Sequence, residues 1–199
     1  MFVLDHLAVG AATLGEGVDL VQSQLGIMLE RGGSHDQYGT HNMLLGLEDG
    51  LYLEVIAKDP DAIPSRGHSW FGLDDFTGPP RLANWICRAD NLIDYTDTAG
   101  PKRELERGNL RWDITVPDDG SLPFGGGFPT LIKWGAGTVH PANSLKPSGL
   151  RLREFIVSHP EATKIARLAQ LDDPRIKFEV GSPGFVARFE GPNGVKELR

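Results

Sequence analysis

Phe2-Val-Leu-Asp-His-Leu-Ala-Val9 opens the chain, and its alternation is apolar on both faces. Val3, Leu7 and Val9 fall on one side; Phe2, Leu4 and Ala8 fall on the other. A strand of this kind is covered on both sides by other structure. Asp5 and His6 break the pattern. A buried imidazole there needs a partner, because an unpaired buried polar group costs roughly 1–3 kcal/mol.

Working outward, residues 13 to 25 carry Leu14, Val18, Val21 and Leu25 on one helical stripe. Thr13 is a fair N-cap and Gly26 a natural stop, while Gly15 and Gly17 weaken the first turn. Strands are expected at 27–31, 41–47 and 51–57, the last two joined by the hairpin signal Glu48-Asp49-Gly50. The first unit is therefore β-α-β-β-β. Residues 61–80 read as a linker whose apolar patch, Trp70-Phe71, packs on the core. A second unit spans about 81–134, with strands expected at 82–88, 109–116 and 130–134 and a short helix at 91–98. A third spans about 150–199, with a strand at 150–157, a helix at 160–171 and strands at 176–180, 185–189 and 195–198. The first and third units share one order of elements, and such recurrence precedes any single motif in weight. These readings predict an α+β fold of repeated βαβββ modules. The modules are expected to form one domain covering 1–199.

Composition narrows the function. The chain has 199 residues, 40% of them hydrophobic and 24% charged, which suits a packed core. A formal charge of −7 argues against nucleic acid and anionic membranes as partners. One cysteine, Cys87, cannot form an internal disulfide and reads as a small buried hydrophobe. The N-terminus lacks a secretory pattern, and no apolar run reaches the roughly 20 residues a membrane helix needs. A cytoplasmic location is the expectation. No Gly-x-Ser-x-Gly elbow, Rossmann glycine pattern or P-loop occurs.

Several motifs resemble the vicinal oxygen chelate superfamily, and more narrowly its glyoxalase-like domain group. Leu4-Asp-His-Leu-Ala-Val9 is similar to the family's first strand with its metal histidine. Asp49-Gly-Leu-Tyr-Leu-Glu-Val55 is similar to the fourth strand with its metal glutamate. Gly39-Thr-His-Asn42 resembles a motif of the glyoxalase-like group, and Gly191-Pro-Asn-Gly-Val-Lys-Glu-Leu198 resembles a fourth-strand ending. The resemblance implies paired modules forming a curled mixed sheet or half-open barrel, a cup with helices on its outer face, with His6 and Glu54 holding a divalent metal: Zn, Fe, Mn, Ni or Co. It implies a small polar substrate chelated through two oxygens, and isomerase, lyase or dioxygenase chemistry. A metal-free binding protein using the same cup is the alternative, with Trp70, Phe71, Trp85 and Trp134 lining it. A homodimer is compatible with each reading.

Two alignments of the partner module stay open. If the second unit pairs with the first, Trp85 takes the place of a ligand and Lys133 lies near the glutamate position. If the third unit pairs, Glu154 and Glu197 fall in the ligand slots, at an interval of 43 against 48 for His6 and Glu54. Glu197 and Glu154 are then the candidate further ligand or general base. Both also read as solvent-facing charges. His41, Asn42 and Trp85 are the expected substrate or supporting contacts. For His6 and Glu54 themselves, the plain alternative is a buried hydrogen-bonded pair. His35, His140 and His159 are expected at the surface.

Overall fold

The computed structural model describes residues 1–199. The first unit runs β1 (Val3–Gly10), α1 (Leu14–Leu25), β2 (Glu30–His35), β3 (Thr40–Gly46) and β4 (Tyr52–Lys58). The second runs β5 (Arg81–Arg88), short helical turns including α2 (Thr96–Ala99), then β6 (Lys102–Arg107), β7 (Leu110–Thr115) and β8 (Thr130–Trp134). The third runs β9 (Arg151–Ser158), α3 (Ala162–Ala169), β10 (Ile176–Glu179), β11 (Gly184–Gly191) and β12 (Gly194–Leu198).

The first two units share an eight-stranded sheet of order β2-β3-β4-β1-β5-β8-β7-β6. That order is a mirror about the antiparallel β1–β5 join. Within each half the first and fourth strands lie side by side and parallel. The sheet curls until its edges approach: Gln37, just past β2, donates to the Glu104 carbonyl of β6 at 3.4 Å. The second unit, not the third, therefore closes the cup.

The third unit repeats the βαβββ order but pairs differently. Its four-stranded sheet runs β10-β9-β11-β12, so its first and fourth strands are separated by β11. This sheet packs on the convex face of the larger one. Leu7, Val9, Leu53, Val55, Trp85 and Cys87 from the large sheet share one buried cluster with Leu152, Phe155, Val157 and Phe189. α1 covers the same face through Val21 and Leu25. A second cluster fills the concave side, with Ala8, Ile56, Ile86, Leu105, Ile114 and Ile132. Both faces of β1 are thus buried, as its double-sided apolar pattern requires. Each large apolar side chain so enclosed contributes about 1.5–3 kcal/mol. No helix is long and apolar enough to cross a membrane.

One strand, β6, differs from the sequence reading for a physical reason. β6, Lys102-Arg-Glu-Leu-Glu-Arg107, has only Leu105 buried. It is an edge strand, and edge strands tolerate charge because one side faces no neighbour. The linker's apolar patch packs on the core as read: Trp70, Phe71 and Leu73 are buried in the concave cluster and stopper the cup. Trp70 Nε1 donates to Thr40 Oγ1 at 3.0 Å.

α1 begins with a capping box between Thr13 and Glu16 and ends on Gly26 at φ 73°. Its two early glycines are not equivalent. A Cβ on Gly17 would lie 2.5 Å from Val55 Cγ1, whereas one on Gly15 would meet nothing within 4 Å. Gly15→Ala should therefore stabilise the protein by up to about 1 kcal/mol through helix propensity. Gly17→Ala should be net destabilising, because overpacking costs about 1–3 kcal/mol. Urea midpoints of both variants test the difference; an equal upward shift would contradict the close approach of α1 to β4.

Candidate active site

β1 contains a bulge. Leu4 pairs with Cys87 and His6 with Ile86, leaving Asp5 as an extra residue. Neighbouring strand residues ordinarily point to opposite faces, but a bulge lets two adjacent side chains share one. Asp5 and His6 meet directly: His6 Nδ1 lies 2.6 Å from Asp5 Oδ1. Asp5 has no exposed surface. Its other oxygen accepts from His140 Nε2 at 2.9 Å and Trp134 Nε1 at 3.0 Å, with Arg88 Nε at 3.4 Å. The Ala142 amide donates to His140 Nδ1 at 3.3 Å, which places that ring's proton on Nε2, facing Asp5.

Glu54 comes from β4, whose Ala8↔Glu54 pairing sets it one step along from His6. His6 Nε2 and Glu54 Oε2 are 3.7 Å apart, too long for a committed hydrogen bond. The other Glu54 oxygen accepts from Asn42 Nδ2 at 2.5 Å, and Asn42 Oδ1 accepts from the Gly33 amide at 2.7 Å. Asn42 is thereby fixed in orientation. Tyr52 stacks on His6 with centroids 4.2 Å apart.

Electrostatics follow from these contacts. Burial by itself would raise the Asp5 carboxyl; hydrogen bonds from His140 and His6 outweigh it and hold Asp5 well below the carboxylate range. Burial would depress His6, but Asp5 and Glu54 on either side raise it above the ordinary 6.5. Burial would likewise raise Glu54, and His6 turns the balance downward. The contacts thus favour the ionised form of both carboxylates and the protonated form of the imidazole between them.

His35 is buried on the opposite wall, not exposed as expected. Its Nδ1 is 3.1 Å from Thr40 Oγ1, and Arg107 Nη1 donates to its Nε2 at 3.2 Å. These partners define a neutral ring with the proton on Nδ1. Burial pushes its pKa down to about 4.

The cavity between these walls is about 40 Å³. One water takes at least roughly 10–15 Å³ by this measure. Its polar lining is His6, His35, Asn42, Tyr52, Glu54 and Arg107; its apolar lining includes Trp70, Phe71, Trp112, Trp134 and Ile132.

Of the residues expected here, His6, Glu54 and Asn42 converge. His41 does not: it points off the other face of β3, 3.8 Å from Asp59. Trp85 faces the convex core, packs on Phe155 at 5.7 Å and donates to the Gly126 carbonyl at 3.0 Å. Glu154 and Glu197 lie in the second sheet, flanking Arg188 in a surface ion-pair ladder with Lys177 and Arg199. Neither meets His6, because β9 and β12 belong to a sheet on the far side of the core. Asp5, His140, His35 and Arg107 were not expected as site residues. The consecutive polar pair Asp5-His6 was a signal for the first.

The donor set tests the expected metal. His6 and Glu54 offer two atoms at a spacing one ion could bridge, and Asp5 fixes the His6 ring as second ligands often do. The second module supplies nothing more. Counted by register about the Leu7↔Trp85 pair, Asn84 and Thr130 occupy the positions equivalent to His6 and Glu54; Asn84 Nδ2 donates to Thr130 Oγ1 at 3.0 Å, and neither lines the cavity. No group of three His, Cys, Asp or Glu side chains is arranged to hold a metal. Arg107 adds a cation to the same cavity. The residues do not fit a divalent centre held by the chain.

A family model described as Glyoxalase-like domain matches residues 4–171. The chain belongs to that family. It is similar in fold to a Staphylococcus aureus protein described as hypothetical, at 14% identity and a TM-score of 0.59, covering 92% of this chain and 88% of that one. A methylmalonyl-CoA epimerase from Mycobacterium tuberculosis overlaps at 21% identity and a TM-score of 0.41, covering 66% and 85% of the two chains. A Streptomyces coelicolor methylmalonyl-CoA epimerase overlaps at 18% and 0.42, covering 70% and 98%. At TM-scores this low the epimerase overlaps carry no inference about substrate. No curated protein sequence matches the chain.

A pH experiment isolates His35. Unfolded, it takes a proton near 6.5; folded, only near 4. Its contribution to stability is therefore present above 6.5 and lost as pH falls towards 4, about 3 kcal/mol in all. His35→Gln should flatten the stability profile across that window. Parallel profiles for the two proteins would contradict a neutral buried ring.

Proposed function

We propose that the protein is a small-molecule enzyme of isomerase or lyase type that moves a proton at a carbon beside a carbonyl. The observation that carries this reading is the row Asp5–His6–Glu54 inside a nearly closed cup with a mostly apolar lining. Glu54 is the base. His6, held by Asp5, presents Nε2–H to the substrate's carbonyl oxygen and stabilises the negative charge that develops there. The 3.7 Å gap between His6 and Glu54 leaves their facing atoms available to a substrate.

The resting charges support the same assignment. Glu54 is kept ionised chiefly by the His6 imidazolium, against a burial effect that raises it. Once substrate oxygen takes the His6 hydrogen bond, burial dominates and Glu54 becomes more basic. The base is thus strengthened when substrate arrives, which suits general base catalysis. Asn42 keeps one Glu54 oxygen occupied and so aims the other. Oxygen insertion needs a three-donor metal face, for which this donor set offers only two.

A sequestering role without chemistry keeps one supporting observation, the aromatic lining of Trp70, Phe71, Trp112 and Trp134. One experiment separates the two. Small carbonyl compounds are incubated with the protein in D₂O, and loss of the α-proton signal is followed by NMR. Glu54→Gln should slow exchange by about 10²–10⁴-fold. Compounds that bind but never exchange would sink the enzyme reading and favour sequestration.

The pH profile of exchange should be bell-shaped. Its acid limb lies below the ordinary glutamate value of 4.5, where Glu54 is protonated, and its alkaline limb above the ordinary histidine value of 6.5, where His6 loses its proton. Activity should also survive EDTA. A stoichiometric divalent ion in purified protein, absent from His6→Ala, would overturn the metal-free assignment.

A further inference from the structure

The curled sheet does not close. Between β2 and β6 no strand ladder forms; Gln37 reaches across to the Glu104 carbonyl, and Arg107 packs on β2 at Gly33. Its aliphatic and guanidinium atoms lie on Gly33, where a Cβ would sit 2.9 Å from Arg107 Cδ and 3.1 Å from Nε. Outside the seam is a surface pocket of about 350 Å³. His35, Arg107 and Trp112 line both that pocket and the inner cavity. They form the partition between an outer vestibule and the catalytic cup.

Arg107 is unusual in what holds it. Its one side-chain hydrogen bond goes to His35 Nε2, at 3.2 Å. It forms no ion pair, although Glu106 beside it pairs with Arg111. A neutral imidazole is a weaker partner for guanidinium than a carboxylate, and it occupies one of five N–H donors. His35 itself is locked by Thr40, whose hydroxyl also takes Trp70 Nε1. The acceptor is rigid and the donor is under-used.

We propose that Arg107 is the anchor for a substrate carboxylate, which enters through the β2–β6 seam and takes the guanidinium from His35. This rests on the proton-transfer reading of the same cup and names its substrate class: a short carboxylic acid bearing a carbonyl. A planar carboxylate matches the guanidinium fork in two parallel hydrogen bonds. A cavity of about 40 Å³ admits only a compact group beyond it. Bound so, the carboxylate holds the molecule at the seam while its carbonyl reaches His6 and Glu54.

The test is binding, read by tryptophan fluorescence, since Trp70, Trp112 and Trp134 line the cup. The probes are pyruvate and oxalate, with pyruvamide as the neutral analogue and inorganic phosphate as the non-planar anion. Wild type should bind pyruvate and oxalate. Arg107→Gln should weaken both by about 10- to 100-fold, as loss of a charge-assisted pair does. Arg107→Lys should recover part of the affinity, which shows that a folded cup is being measured. Gly33→Val, which crowds the seam, should slow association several-fold in stopped flow.

Equal affinity in wild type and Arg107→Gln overturns the anchor, as does pyruvamide or phosphate binding as well as pyruvate. An unchanged association rate in Gly33→Val overturns the entrance. Glu54→Gln separates this proposal from the function it rests on. If that variant binds pyruvate with Arg107 dependence while proton exchange persists, the base assignment fails and the anchor stands. If exchange is lost but Arg107→Gln binds normally, the reverse holds.

Discussion

A full negative charge sits on Asp5 with no exposed surface, and the candidate site is arranged around it. Burying an ion costs several kcal/mol unless hydrogen bonds compensate. Here the donors are His6 Nδ1, His140 Nε2 and Trp134 Nε1, with Arg88 Nε close by. They come from β1 itself, the loop after β8, β8 and β5. One carboxylate therefore ties both modules and the following loop to the same point. The bulge in β1 makes this arrangement available, because it turns two adjacent side chains to one face. Without the extra residue Asp5 and His6 would sit on opposite sides of the sheet.

The near-mirror symmetry of the large sheet is not matched by its chemistry. The first half carries His6, Glu54 and Asn42. The second half offers Asn84 and Thr130 at the equivalent positions, bonded to each other, and contributes Arg107 from its edge strand. A symmetric backbone thus holds an asymmetric site, with acid–base groups on one wall and a cation on the other. Membership of the glyoxalase-like family speaks for the scaffold; the chemistry has to be read from the side chains.

Much of this was legible in the sequence. Polar residues inside doubly apolar strands marked His6 and Glu54, and the resemblance to the glyoxalase-like group implied that their strands lie side by side. The Gly39-Thr-His-Asn42 motif pointed to β3, where alternation then sent Asn42 inward and His41 outward. Other parts carried no such signal. β6 is almost entirely charged, since only Leu105 faces the core. The third unit has the same order of elements as the first, yet order does not encode which strand a neighbour will be. Its two glutamates consequently became an ion-pair ladder instead of ligands. His35 and His140 lie next to glycine and proline, where sequence suggests solvent; only the curl of the sheet and the fold of the loop after β8 bring them inside.

The central claim is that His6 is an imidazolium clamped between two carboxylates. Nitrogen-15 NMR of the histidine side chains, followed from pH 6 to 9, measures this directly. The account predicts that His6 loses its second proton above the ordinary value of 6.5, and that Asp5→Asn lowers this point. A neutral His6 ring at pH 6 in the wild-type protein would contradict it.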